Sequence, residues 1–212
     1  MNTGIAHDAL LIFARNPQAG RVKTRLIGAL GEQRASDIYA SMLQHALATA
    51  SAAPTGSVRV CIADPAPNSR LQPLLDRYRM PWATQIGEDL GARMHQAITD
   101  TLQSATRVVL IGSDCPEYEP DYLASAFTAL STNDVVLGPA ADGGYVLIGM
   151  KQPHALLFSD MPWGTERVCR LTRNRLSQLQ LDWHELPTRH DVDTVADLSR
   201  FPQLTERVPD PD

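Results

Sequence analysis

Short apolar runs alternate with segments of helical spacing along most of this chain, and no other feature restricts its fold as strongly. The predicted strands are residues 9–14, 58–63, 82–86, 107–112 and 134–137, and the predicted helices between them are residues 35–47, 71–78, 90–102 and 120–130. This alternation predicts a three-layer, Rossmann-like α/β fold, in which a mostly parallel central sheet has helices on both faces. Ligands of such sheets bind at the carboxyl ends of the strands.

The alternation stops after residue 137. The turn-rich sequence GPAADGGY leads directly into an apolar run at residues 145–150, with no helix between them. A direct return of this kind is typical of an antiparallel strand. A long helix at 163–179, a short strand at 183–186 and a helical turn at 197–201 are predicted to follow. We expect one domain over residues 1–205 and a flexible tail at 206–212.

Composition restricts the class of protein. With 212 residues and 43% hydrophobic residues, the chain fits one well-buried core. A net charge of -5 without a long basic run argues against nucleic acid or an anionic membrane as a partner. The three separated cysteines argue against a disulfide framework or structural zinc, and favour reduced thiols in the cytoplasm. No apolar stretch approaches the roughly 20 residues of a membrane span, so none is predicted.

A basic loop follows the first predicted strand. In FARNPQAGRVKTRL, Arg15, Arg21, Lys23 and Arg25 lie where that strand ends, and Gly20 lies among them. Backbone amides around the glycine could hold a diphosphate, while the arginines add bidentate contacts and the lysine a point charge. We therefore count Lys23 as a substrate-binding and as a catalytic residue. The alternative is a solvated basic loop. Neither a Walker loop nor G-x-G-x-x-G is present.

Two acidic motifs predict a metal site. Asp114 in IGSDCP closes a strand apolar enough to lie centrally in the sheet, so its carboxylate should face the ligand crevice. Near the C-terminus, RHDVDT places Asp191 and Asp193 on the same side of an extended segment. These two carboxylates could complete a metal site with Asp114. We expect Asp114 and Asp193 to bind Mg²⁺ or Mn²⁺ together with substrate phosphates. The alternative is that Asp114, Asp193 or Thr194 caps a helix.

Residues that could contact the acceptor lie in two later loops. Gly143 and Gly144 in LGPAADGGYVLIG allow close backbone approach, and Asp142 beside them is the candidate base. A hairpin turn explains the same residues, and a turn does not exclude the functional role. Trp163 and Thr165 in MPWGTERV could shape an acceptor pocket, or could be a buried tryptophan beside a helix cap.

One further pair of charged residues opens a predicted helix. Asp89 and Arg93 in EDLGARM lie four residues apart. A surface ion pair is the ordinary explanation of this spacing, and contact with a nucleotide base is the functional one. The six histidines show no metal-ligand spacing, which argues against zinc chemistry.

Six motifs in this order, FARNPQAGRVKTRL, EDLGARM, IGSDCP, GPAADGGYVLIGM, PWGTERV and DVDT, resemble the GT-A-like family of arsenosugar-biosynthesis or radical-SAM/selenodomain-associated glycosyltransferases. The resemblance implies a nucleotide-diphospho-sugar transferase fold. By motif matching, Gly20, Arg21, Lys23 and Arg25 fall on its phosphate loop, Asp114 on its metal position and Asp193 on its distal acidic position. The chain departs from this fold's common D-x-D motif, because Ser113 and Asp114 supply a single carboxylate.

These features together predict a metal-dependent glycosyltransferase that moves a sugar from a nucleotide-diphospho-sugar to a small-molecule acceptor. The alternative is a nucleotidyltransferase that releases pyrophosphate from a nucleoside triphosphate. The lone aspartate favours it, since molybdenum-cofactor and 2-phospholactate nucleotidyltransferases also use one there. A noncatalytic nucleotide-binding module is the second alternative. A homodimer is left open.

Overall fold

The computed structural model describes residues 7–206, which contain seven strands, eight α-helices and a short 3₁₀ helix, Ala155–Leu157. The strands are β1 Asp8–Ala14, β2 Ser57–Ile62, β3 Trp82–Thr84, β4 Arg107–Ile111, β5 Val135–Pro139, β6 Tyr145–Met150 and β7 Trp183–Glu185. The helices are α1 Thr24–Leu30, α2 Glu32–Ala52, α3 Gln72–Tyr78, α4 Leu90–Thr101, α5 Pro120–Ala129, α6 Val168–Gln178, α7 Val195–Leu198 and α8 Pro202–Glu206.

All seven strands form one mixed sheet in the order β3-β2-β1-β4-β6-β5-β7. The strand β6 is antiparallel to both of its neighbours, β4 and β5, and the other pairings are parallel. The α/β fold and the mostly parallel sheet are therefore confirmed, and so is the antiparallel strand after the GPAADGGY turn.

Helices cover both faces of the sheet because its central strands are apolar on both sides. In β1, Leu10 and Ile12 pack into a core shared with α2, α3 and α5. The alternate residues Leu11 and Phe13 pack into a second core, which α4 and α6 cover. Every helix within residues 7–206 is too short or too polar to cross a membrane.

Several predicted boundaries were wrong. The helix α1, which Gly31 separates from α2, was not predicted. The helix expected from residue 163 begins at Val168, because residues 163–167 form turns that include Gly164 at φ 75°. Two short helices, α7 and α8, replace the single turn expected at 197–201. Glu206 ends α8, and the rest of the predicted tail, residues 207–212, lies outside the described residues.

A glycine in the centre of the sheet tests this packing. A Cβ at Gly149 in β6 would lie 2.9 Å from the Val108 carbonyl oxygen and 2.8 Å from a Val136 methyl. Gly149→Ala should therefore lower the free energy of unfolding by about 1–3 kcal/mol. Gly28→Ala is the control, since a Cβ there meets nothing within 4 Å, and it should stabilise α1 by up to ~1 kcal/mol. Chemical denaturation measures both changes. Equal effects of the two variants would contradict the packing argument.

Candidate active site

A cleft of about 660 Å³ opens at the edge of the sheet where β1 and β4 end and β6 begins. Most of the residues predicted from the sequence line it. They are Arg15, Arg21, Lys23, Arg25, Asp89, Arg93, Asp114, Asp142, Gly144, Trp163, Thr165 and Asp193. Two predicted residues, Gly20 and Gly143, do not belong to its lining.

The ammonium group of Lys23 lies between two carboxylates at the base of this cleft. Its Nζ is 3.0 Å from Asp114 Oδ2 and 2.7 Å from Asp193 Oδ1. The lysine side chain is 6% exposed, while the aspartates are 37% and 41% exposed. Burial opposes the charge of the lysine, but the two carboxylates outweigh this effect and raise its pKa. The ammonium therefore stays charged and paired.

The backbone of Lys23 explains how a loop residue reaches so far inward. It adopts the left-handed conformation, with φ 47° and ψ 46°, immediately before α1. A residue other than glycine pays a steric penalty in this conformation. Its carbonyl oxygen accepts a hydrogen bond from the Leu26 amide at 2.8 Å, which begins the helix. Because of this sharp turn, the lysine side chain reaches the base of the cleft while the backbone continues into α1.

Tyr39 of α2 connects the loops that follow β1 and β4. Its hydroxyl accepts a hydrogen bond from the Arg15 amide at 2.8 Å and lies 2.9 Å from Ser113 Oγ. The sequence suggested only a core position for Tyr39. The sequence does contain one sign of this contact, a tyrosine at an apolar helix position. A buried tyrosine hydroxyl usually has a polar partner. Ser113 is thereby directed to Tyr39, and Asp114 supplies the carboxylate at the end of β4.

Asp114, Asp142, Asp191 and Asp193 form a group of carboxylates in the cleft. Burial, together with the charges of the other three, raises the pKa of Asp191 to about 7. The amide of Gly144 donates to Asp142 Oδ1 at 2.7 Å, so one oxygen of the candidate base stabilises the turn. The sequence analysis considered Asp191 only together with Asp193. It could not indicate that Asp191 lies near Asp142, because that distance depends on the fold.

Neither of the two predicted metal ligands, Asp114 and Asp193, caps a helix within residues 7–206. Thr194 caps α7 in a capping box with Asp197, while the Asp193 side chain turns back to Lys23. The helix α5 begins after Glu119, five residues beyond Asp114. Asp114 and Asp193 lie close together, as the sequence predicted, because both contact Lys23.

The carboxylate oxygens fit a hard divalent ion in part. Within residues 7–206, no three His, Cys, Asp or Glu side chains are arranged to hold a metal ion. Magnesium sites, however, commonly use one or two carboxylates and take their remaining ligands from water and substrate phosphates. Asp114 and Asp193 match that smaller ligand set, with Lys23 now between them.

Arginines supply positive charge along the cleft. Arg25 Nη1 is 3.5 Å from Asp193 Oδ2, and its side chain is 64% exposed. Arg15, Arg21 and Arg93 also line a smaller adjoining cleft of about 180 Å³. Gly20 forms the turn below them, at φ 77°. Gly20 is therefore part of the turn, while the neighbouring arginines line the clefts.

The Asp89–Arg93 segment begins α4 at the cleft rim. The Asp89 side chain caps the helix by accepting from the Ala92 amide at 2.7 Å. Arg93 Nε donates to the Gly87 carbonyl at 3.0 Å. The expected surface ion pair is thus replaced by a helix cap and a backbone contact, and both side chains still line the cleft.

The two glycines of the DGGY turn have different surroundings. Gly143 has φ 90°, and a Cβ there would lie 2.3 Å from the Glu166 carbonyl oxygen. Its absence from the cleft follows from this packing against the loop before α6. Gly144 lines the cleft directly.

Aromatic residues form one wall of the cleft. The rings of Tyr145 and Trp163 meet edge to face, with centroids 6.1 Å apart. Tyr145 OH and Trp163 Nε1 are buried, and neither has a hydrogen-bond partner within the described part of the chain. Thr165 Oγ1 donates to the Pro162 carbonyl at 2.8 Å, so this hydroxyl closes a turn and does not cap α6.

A family model described as "Uncharacterized protein conserved in bacteria (DUF2064)" matches residues 46–165, more than half of the chain. No curated protein matches the sequence of this chain. Among solved structures, a protein of Desulfovibrio desulfuricans G20, provisionally assigned as a nucleotide-diphospho-sugar transferase, is 28% identical with a TM-score of 0.81. The match covers 96% of this chain and 98% of the other.

Two more distant structures share the fold. A cytidylyltransferase of Leptospira borgpetersenii is 16% identical, with a TM-score of 0.61 and coverage of 96% of this chain and 94% of its own. Glucosyl-3-phosphoglycerate synthase of Mycobacterium tuberculosis, in complex with Mn²⁺, UDP and glucosyl-3-phosphoglycerate, is 11% identical, with a TM-score of 0.57. That match covers 96% of this chain and 77% of the synthase.

Two buried tyrosine hydroxyls allow a matched test of the aromatic wall. Tyr118 OH donates to the Val146 carbonyl at 2.7 Å, whereas Tyr145 OH has no partner among residues 7–206. Tyr118→Phe should lower the free energy of unfolding by about 1 kcal/mol. Tyr145→Phe should leave it unchanged or raise it. Urea denaturation of both variants measures the difference, and a larger loss for Tyr145→Phe would show that its hydroxyl is bonded.

The carboxylate cluster predicts a pH dependence of stability. Folding raises the Asp191 pKa from 3.8 to about 7, so between these values the folded chain binds a proton that the unfolded chain does not. Stability should fall as pH rises through this window. Asp191→Asn should therefore raise Tm little near pH 4 and most above pH 7, by at least about 2–4 °C, the shift that ~1 kcal/mol produces. A Tm difference independent of pH would contradict this assignment.

Proposed function

The chain belongs to the DUF2064 family of proteins conserved in bacteria, and we propose that it is a metal-dependent transferase acting on a nucleotide-diphospho-sugar. The enzyme would transfer the sugar of this donor to a small-molecule acceptor. The observation that carries the proposal is the pairing of arginines with a lysine-bridged carboxylate pair in one cleft. A diphosphate matches both groups, because its oxygens accept bonds from arginine and also bind a divalent ion.

The size and charge of the cleft support a ligand of this kind. Its volume of about 660 Å³ falls within the ordinary range for small-molecule sites, ~300–1,000 Å³. Arg15, Arg21 and Arg93 line the part that continues into the smaller cleft, where the phosphates would lie. Asp114 and Asp193 would hold the ion from the opposite side.

The similar proteins support the same class. The Desulfovibrio desulfuricans protein matches nearly the whole chain, and its provisional assignment is the activity proposed here. The complex of glucosyl-3-phosphoglycerate synthase with Mn²⁺ and UDP supports a divalent ion beside a nucleotide diphosphate. The narrower resemblance to arsenosugar-biosynthesis or radical-SAM-associated glycosyltransferases is supported by the six sequence motifs.

The reaction follows from the charges around the diphosphate. A bound Mg²⁺ or Mn²⁺ supplies Lewis-acid stabilisation of the leaving diphosphate. Arg21 and Arg25 lie where they can neutralise the charge that develops as the bond to the anomeric carbon breaks. Asp142 would take the proton of the acceptor hydroxyl through the oxygen that Gly144 leaves unbonded.

One observation favours nucleotidyl transfer as the second candidate. Asp114 is the one carboxylate of residues 112–114, which directly follow β4, and Ser113 beside it is bonded to Tyr39. In that reaction an acceptor phosphate would attack the α-phosphorus of a nucleoside triphosphate, and pyrophosphate would leave. The shared fold of the Leptospira cytidylyltransferase is compatible with it. The noncatalytic alternative is less favoured, because the paired acidic residues Asp114 and Asp193 share the cleft with an intact basic loop.

Two further features belong to the proposal. Cys61, Cys115 and Cys169 are free and buried, which supports a reducing compartment such as the cytoplasm. Association as a homodimer stays a prediction from the sequence.

Ligand-dependent stabilisation tests the proposal. Nucleotide-diphospho-sugars and nucleoside triphosphates of each base should be added with and without Mn²⁺, and Tm measured. The correct donor at a hundredfold excess over its Kd should stabilise the protein by about 2.7 kcal/mol. Asp114→Asn should remove the metal-dependent part of the shift, whereas the control Asp134→Asn, whose partner Lys151 lies outside the cleft, should retain it. Absence of any shift with folded protein would reject both transferase candidates.

The released product separates the two candidates. Sugar transfer releases a nucleoside diphosphate, and nucleotidyl transfer releases pyrophosphate. Incubation with the stabilising ligand and candidate acceptors, followed by phosphorus NMR, should detect the nucleoside diphosphate. Pyrophosphate in its place would establish the second candidate.

A further inference from the structure

Lys23 Nζ contacts both Asp114 and Asp193, the two carboxylates that would hold a divalent ion. We propose that its ammonium is an internal counter-ion that makes metal binding depend on a phosphate ligand. Without the ligand, Lys23 holds both carboxylates and divalent ions bind weakly. When a diphosphate enters, the lysine turns to the phosphate and releases the carboxylates to the ion. This inference rests on the proposed function and concerns the order of binding at the same site.

The geometry places the lysine and the ion in competition. Lys23 Nζ already contacts one oxygen of each carboxylate, at 3.0 and 2.7 Å. A Mg²⁺ ion bound to the same oxygens would need contacts of about 2.0–2.1 Å. Its centre would then lie next to a buried ammonium, and two cations at that distance repel each other with little water to screen them.

Its two carboxylate contacts hold the lysine in place in the free protein. Its side chain is 6% exposed, whereas the carboxylates are 37% and 41% exposed. Removing the ammonium without replacement would leave two carboxylates close together, with Asp191 in the same cleft. The lysine therefore leaves only when another positive charge takes its place.

The position of the residue makes such a movement feasible. Lys23 adopts the left-handed backbone conformation at the end of the loop that carries Arg21, and Arg25 follows in the first turn of α1. The lysine stem has four rotatable methylene groups, and the arginines beside it would bind the incoming phosphates. A phosphate bound there would lie within reach of the lysine, which could exchange its carboxylate contacts for phosphate oxygens.

Linkage requires the effect to be reciprocal. If a diphosphate strengthens metal binding by a given factor, the metal strengthens diphosphate binding by the same factor. Couplings of this kind usually amount to about 5–150-fold. The lysine supplies the physical origin of the coupling, so removing its charge should strengthen metal binding and reduce the coupling.

The test measures Mn²⁺ affinity from the electron paramagnetic resonance signal of the free ion. Without nucleotide, Lys23→Met should bind Mn²⁺ about tenfold or more tightly than the wild type. Lys23→Gln, which keeps one donor, should fall between them. The control Lys151→Met removes a lysine from another lysine–aspartate pair, Lys151–Asp134 at 3.4 Å, and should match the wild type. Folding of each variant is checked by circular dichroism.

A second measurement uses the wild type alone. Adding UDP, GDP, ADP or CDP, whichever binds, should tighten Mn²⁺ binding to the protein about tenfold, after correction for Mn²⁺ held by free nucleotide. Equal Mn²⁺ affinity of wild type and folded Lys23→Met would overturn the inference, as would nucleotide binding without coupling. If no nucleotide binds but Lys23→Met still gains Mn²⁺ affinity, the proposed function fails and the role of the lysine stands.

Discussion

The contact of one ammonium with two carboxylates organises the cleft. It joins the loop after β1 to the end of β4, which is 91 residues away, and to the segment before α7, which is 170 residues away. Each partner alone would be an unfavourable buried or clustered charge, and together they neutralise one another. The loops around the contact are therefore set by electrostatics as much as by packing. Tyr39 adds a second connection between the first two of these segments.

The sheet makes this contact possible because it brings distant strand ends to one edge. The strands β1 and β4 are parallel neighbours, so the residues that follow them emerge side by side. The antiparallel β6 begins at the same edge, which places Tyr145 and the DGGY turn across from the basic loop. Helices pack against the apolar residues on both faces of β1, and the charged residues lie beyond the strand ends. Charge therefore collects in the cleft and not in either core.

The same arrangement explains why a phosphate ligand and a divalent ion suit this site together. The arginines of the cleft attract anions and its carboxylates attract cations, so a ligand that pairs with only one kind of charge leaves the other unbalanced. Lys23 provides a temporary balance within the protein. The proposed transferase activity and the proposed order of binding both follow from this opposition of charges, and the fold shared with nucleotide-dependent transferases is compatible with both.

The sequence alone determined the α/β class, the antiparallel return and most residues of the cleft, because apolar periodicity and strand-end motifs are local signals. It also predicted that Asp114 and Asp193 would lie together. It could not show that Lys23 turns inward between them, since that depends on a left-handed backbone residue and on burial. Nor could it distinguish Gly143, which packs against the Glu166 backbone, from its neighbour in the cleft. Such distinctions depend on distances between segments remote in sequence, and only the tertiary structure decided them.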